Sequence, residues 1–191
     1  MSWKMVFTFV LFYSVMVSVS PAEDFSLQYF LEKTSLKTYD LSKRERTALL
    51  NQIERMLEQA KEVQLRLSRA LQGGETGINY QEGKFWMSKL TEDQASIESG
   101  AQQLKILREK PMQLTAAIKL YKSLKDLSFH FNSCNNLPSF SAYIGDVAPE
   151  MELWTDPIFY KLYVLPLAQA RTQETKIPTK ERKTETKGKR P

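Results

Sequence analysis

The stretch SKRERTALLNQIERMLEQAKEVQLRLSRALQGG, residues 42–74, decides the fold. It opens on Ser42-Lys43-Arg44-Glu45, the S-x-x-E form of a capping box, in which each side chain accepts a hydrogen bond from a helix-terminal amide near the other. Apolar residues then recur at Leu49, Ile53, Met56, Ala60, Val63, Leu67 and Ala70, alternately four and three apart. Leu50, Leu57 and Leu71 widen the stripe on one side, giving a helical face broad enough to enter a core. Gly73-Gly74 closes the run as a helix stop.

Downstream, four of the seven glycines lie between residues 73 and 83, which marks a connection. A second helix is expected from Lys84 or Phe85, with Trp86, Leu90, Ile97, Ala101, Leu104 and Leu107 on its apolar face. Asp93 and Gln94 interrupt that pattern, and Thr91-Glu92-Asp93-Gln94 has the form of a second capping box, so the first turns are open to being a separate short helix. Pro111 disfavours helical geometry at Lys110 and places a turn there, with one long bent helix as the alternative. Leu114, Ala117, Ile118, Tyr121, Leu124, Leu127, Phe131 and Cys134 form a third stripe, ended by Asn135-Asn136-Leu137-Pro138. No stretch alternates apolar and polar residues, so no sheet is expected. The fold class is all-α: an antiparallel bundle of three long amphipathic helices, with additional short helices from both ends.

Residues 138–170 concentrate Phe140, Tyr143, Trp154, Phe159, Tyr160 and Tyr163 and are broken by four prolines. They are read as short helices joined by turns and folded back on the bundle, with Asp156-Pro157 as an N-cap followed by proline at the first helical position. Residues 24–39 are expected to add a short helix anchored by Phe25, Tyr29 and Phe30.

The two ends have other characters. Lys4 precedes an uncharged run from Met5 to Val19, and Ser20-Pro21-Ala22 places small residues for cleavage before Glu23. That run is short of the roughly 20 residues that span a bilayer, so residues 1–22 are read as a secretory signal, with an uncleaved membrane anchor as the alternative. The protein is therefore expected in the periplasm or outside the cell. Residues 23–170 are read as one domain and 171–191 as a disordered basic tail, free of aromatics and rich in Lys, Thr and Glu. The tail holds eight basic and three acidic side chains, equal to the whole net charge of +5. The basic balance thus belongs to an appendage able to contact anionic surfaces, and gives no specific nucleic-acid face. The single cysteine excludes an internal disulfide, so stability must come from packing alone or from an intermolecular bridge.

Chemistry is sparse. His130, the only histidine, and Cys134 share a helix face at i,i+4, the geometry of two ligands or of a thiol–imidazole pair. Zinc requires three or four protein ligands, and Cys134 also continues the core stripe, which favours a structural role. Glu150 and Glu152, with Asp146 and Asp156 nearby, offer paired carboxylates, but in a proline-broken segment that reads as solvated surface. Gly77 to Gly83-Lys84 has one residue too many for a phosphate loop, and Phe85 stands where Ser or Thr is required. No catalytic residue, metal site or cofactor is assigned.

Leu90-Thr91-Glu92-Asp93-Gln94 resembles the L-T-x-x-Q motif of the Spy/CpxP-type periplasmic proteins, small helical chaperones and stress-sensing proteins, and Leu41-Ser42-Lys43-Arg44-Glu45 is a looser copy. The resemblance covers five residues and one degenerate repeat, and implies a chaperone or envelope-stress role as an alternative. The leading expectation is a non-catalytic protein-binding or scaffold protein. Trp86, Tyr143, Trp154, Phe159 and Tyr163 are its candidate interaction surface, because Tyr and Trp are favoured at binding hot spots. An enzyme built on His130 and Cys134 is the remaining alternative.

Overall fold

A computed structural model describes residues 25–176, which are helical throughout apart from short connections and include no strand. The segment read as an export signal, and the tail beyond residue 176, lie outside the described residues.

Helix α1 (Leu27–Ser35) is capped by the Ser26 side chain. Helix α2 (Lys43–Gln72) carries the complete capping box: Ser42 accepts from the Glu45 amide, and Glu45 accepts from the Ser42 amide. At its far end the Gly73 amide donates to the Arg69 carbonyl at 2.8 Å. Gly74 then takes φ +72°, a left-handed turn that glycine enters without steric cost.

Helix α3 (Tyr80–Glu109) begins one turn earlier than expected, because Asn79 caps it by accepting from the Glu82 amide. Gly83 lies inside the first turn, where its amide donates to Asn79 at 2.8 Å. Thr91 starts no second helix: its hydroxyl donates to the Met87 carbonyl, and the helix runs unbroken through Gln94. Lys110, before Pro111, leaves helical geometry at φ −129°, ψ 76°. Pro111 is therefore a turn, and helix α4 (Leu114–Asn135) returns beside α3.

The three long helices run antiparallel. Arg108 reaches back to Asn51 and Glu54, while Gln64 bonds the Leu90 carbonyl. They pack tightly around Gly100, where an added Cβ would sit 3.2 Å from Leu57 and 3.6 Å from Leu120. Gly100, not Ala101, is the inward residue there, and Leu120 is buried in α4 where Ile118 was expected and is instead 48 % exposed.

The aromatic segment differs from its expected form. Helix α5 (Pro138–Ile144) has proline at its first position. Helix α6 (Val147–Leu153), a π-helix (Trp154–Val164) and helix α7 (Leu165–Lys176) then follow with no turn between them. Asp156 does not cap a helix at Pro157; it accepts from the Tyr121 hydroxyl at 2.8 Å and pairs with Lys125. Pro157 sits inside the π-helix, whose bonds run five residues back instead of four. That wider winding sets Trp154, Ile158, Phe159, Leu162 and Tyr163 along one inward side. They complete a core shared with α2 and α4 and closed at one end by Phe30 of α1, whose ring meets Trp154 edge-on at 5.9 Å. Helix α7 carries on to Lys176, six residues into the stretch expected to be disordered.

Candidate functional site

The α3–α4 hairpin turns on Pro111, so residues equidistant from it face each other. Asp93 lies 18 residues before that turn and His130 lies 19 after it. Asp93 Oδ2 and His130 Nδ1 meet at 2.5 Å, and on the other side of the ring Nε2 faces Cys134 Sγ at 3.5 Å. A ring carrying its proton on Nδ1 satisfies both neighbours, donating to the carboxylate and accepting from the thiol. Asp93 is the polar residue that broke the apolar pattern of α3. Its partner, 37 residues away, explains why a carboxylate can stand on a buried face.

The chain Asp93–His130–Cys134 has the connectivity of a nucleophile, a base and an orienting acid, but the thiol is not presented. Cys134 is buried, and burial first, then the negative charge of Asp93, pushes its pKa up to about 12. A nucleophilic cysteine needs the opposite shift. Burial likewise raises the Asp93 carboxyl above its usual range, against the opposing pull of His130. Among the described residues no group of three or more His, Cys, Asp or Glu is arranged to hold a metal ion.

Next to this chain lies a cavity of about 480 Å³ between α3 and α4. Its floor is the Trp86 indole, stacked on His130 with centroids 5.8 Å apart and braced edge-on by Phe140 at 5.1 Å. Phe85 and Phe129 stand at its rim, 54 % and 74 % exposed. Lys89, Glu92 and Asp126 supply its charge, with Lys89 and Glu92 paired at 2.7 Å. Helical spacing produces the lining: Phe85, Lys89, Glu92 and Ser96 lie on one face of α3, and Asp126, Phe129, His130 and Ser133 on one face of α4.

The five aromatics expected to form a surface are divided by the fold. Trp154, Phe159 and Tyr163 are core residues, 2 %, 0 % and 3 % exposed, and the Tyr163 hydroxyl donates to the Pro111 carbonyl at 3.0 Å. Their periodicity was hidden by the π-helix. Tyr143 is half-buried, with its hydroxyl 3.4 Å from Glu75. Trp86 alone lines the cleft. Phe85 and Phe129 were missed because neither continues the apolar stripe of its helix, which is itself the signal for an exposed aromatic. The acidic group does not converge either: Glu150 accepts from the Trp154 indole, Glu152 from Asn132, and Asp156 from Tyr121 and Lys125.

No protein-family profile, no curated protein and no solved structure matches this chain. Of the two motif copies behind the chaperone resemblance, only the one at Ser42 caps a helix. The Leu90–Gln94 copy lies in the middle of α3. Among the described residues no helix is long and apolar enough to cross a membrane.

Proposed function

We propose that this is a non-catalytic protein-binding or scaffold protein, exported to the cell envelope or beyond, and that it engages its partner through the α3–α4 cleft. The observation that carries the reading is the pair Phe85 and Phe129, two large apolar rings left exposed on opposite walls of one cavity. Scattered exposed apolar residues are ordinary, whereas aromatics converging on a concavity are what a contact surface needs. Burial of the Cys134 thiol, which raises its pKa, supports binding over catalysis. A protein partner suits the site better than a small ligand. Pockets for small molecules enclose roughly 70–90 % of their ligand, whereas the rim rings here, Phe85 and Phe129, are more than half exposed.

The test is site-specific photocrosslinking in the native envelope or culture fluid, with the probe at position 129 and a control probe at exposed Glu58 on α2. A single near-stoichiometric partner captured only from position 129, and lost in the Phe85→Ala variant, is the expected result. A scatter of unfolded clients would favour the chaperone alternative, and equal capture from both positions would remove the cleft as the site.

A further inference from the structure

The cleft carries charge as well as rings, and its charges do not cancel. One lysine faces three carboxylates, those of Glu92, Asp93 and Asp126. Two of the three are already engaged: Glu92 holds Lys89 at 2.7 Å, and Asp93 holds His130 at 2.5 Å. Asp126 has no hydrogen-bond or ion-pair partner among the described residues. It lies one turn from Phe129 on the same face of α4, so an unpaired carboxylate stands beside an exposed ring. Phe85 and Trp86 present two more aromatic groups opposite.

Aromatic faces around a cation, with a carboxylate to neutralise it, form the recognition chemistry of organic cations. A guanidinium fits better than an ammonium, because its plane can lie flat on a ring while its edge hydrogen-bonds to a carboxylate. Building on the binding role argued above, we propose that the cleft anchors an arginine side chain of the partner polypeptide: the guanidinium stacks against Phe129 and Trp86 and bonds Asp126, and apolar residues flanking that arginine cover Phe85 and the outer face of Phe129. The same arrangement takes lysine less tightly, and it rejects an acidic or neutral polar anchor.

A random heptapeptide display library selected against the full chain tests this, with the Phe85→Ala/Phe129→Ala variant as counter-target. Both positions are exposed, so that variant should fold like the wild type by circular dichroism. The surviving peptides are expected to carry an arginine next to an apolar residue. Replacing that arginine by citrulline, its neutral isostere, should weaken binding roughly tenfold. On the Asp126→Asn variant the same replacement should cost clearly less than on the wild type, because only the cation–ring attraction is then left to lose. Peptides that need Phe85 and Phe129 but hold no cation, or that tolerate citrulline, would overturn the arginine anchor and leave the cleft as a binding site. If no peptide distinguishes the wild type from the double variant, the binding site itself falls with it.

Discussion

Asp93 of α3 and His130 of α4 form a buried bridge across the helical hairpin, 2.5 Å long, with side chains only 6 % and 12 % exposed. Removing one partner strands the other, and a stranded buried charge costs more than the pair contributes. His130→Ala is therefore expected to destabilise the fold by about 3 kcal/mol at neutral pH. The sign of its pH dependence follows from Asp93, whose folded pKa is raised chiefly by burial. A raised pKa favours the folded state below the unfolded carboxylate value, and that advantage is lost as pH rises through the folded pKa. Without the opposing pull of His130 the rise is larger, so the deficit should shrink as the pH falls and Asp93 becomes neutral. Urea denaturation at neutral and mildly acidic pH measures this. A deficit independent of pH would mean that His130 acts by packing alone.

Cys134 gives a direct check on catalysis. With its pKa near 12 the thiol carries almost no thiolate at pH 8, and its sulfur lies in the core. A thiol reagent such as Ellman's should leave the native protein unmodified for hours and react within minutes after addition of denaturant. Cys134→Ser should leave cleft binding unchanged. Fast native labelling would reopen the Asp93–His130–Cys134 chain as a nucleophilic site.

The bundle was legible because its helices obey local rules. Ser42, Glu45 and Gly73 act within a turn or two of themselves, and the α2 stripe fixes one buried face. Where tertiary contacts override local preference the reading slips. Gly83 hid the start of α3 because glycine is a poor helix former, yet the Asn79 cap and the rest of the helix carry it. Ile118 and Leu120 are both plausible inward residues; Leu120 keeps the three-and-four spacing of Ala117, Leu124, Leu127 and Phe131 and packs beside Gly100. Pro157 reads as a helix start in any sequence, and its place inside a π-helix depends on a core that rewards the wider winding. For the cleft, the sequence supplied Trp86 and His130 but not their adjacency, which depends on the register of α3 against α4.

Glu45 couples the amino-terminal helix to α2 and should make the fold acid-sensitive. Burial alone would raise its pKa, but hydrogen bonds from Lys33, Tyr29 and Ser42 outweigh that and hold it at about 2. A depressed pKa contributes stability above the unfolded value, near 4.5, and loses it as pH falls toward about 2. The contribution is on the order of 3 kcal/mol. Glu45→Gln is expected to lose most of it at pH 7 and to flatten the stability profile between about pH 4.5 and 2. Amide exchange in α1 would show the docking loosen first, and an unchanged acid profile would show that Glu45 is not the group that titrates.

Phe159 and Phe129 provide the sharpest contrast between core and surface. Phe159 is fully buried and stacks on Tyr163 at 5.2 Å, whereas Phe129 is mostly exposed at the rim of the cleft. Phe159→Ala removes a large buried ring and should cost about 4 kcal/mol, lowering the melting temperature by roughly 10 °C. Tyr163→Phe removes only the bond to Pro111 and should cost about 1 kcal/mol. Phe129→Ala should leave the melting temperature within about 2 °C, because the exposed ring buries little in the folded state. Its effect belongs to binding, where a lost aromatic anchor costs on the order of tenfold or more in affinity. Thermal denaturation of the three variants, followed by binding measurements on those that melt normally, separates the roles. If Phe129→Ala melts like Phe159→Ala, its ring is part of the core, and the cleft loses the feature that marks it as a contact surface.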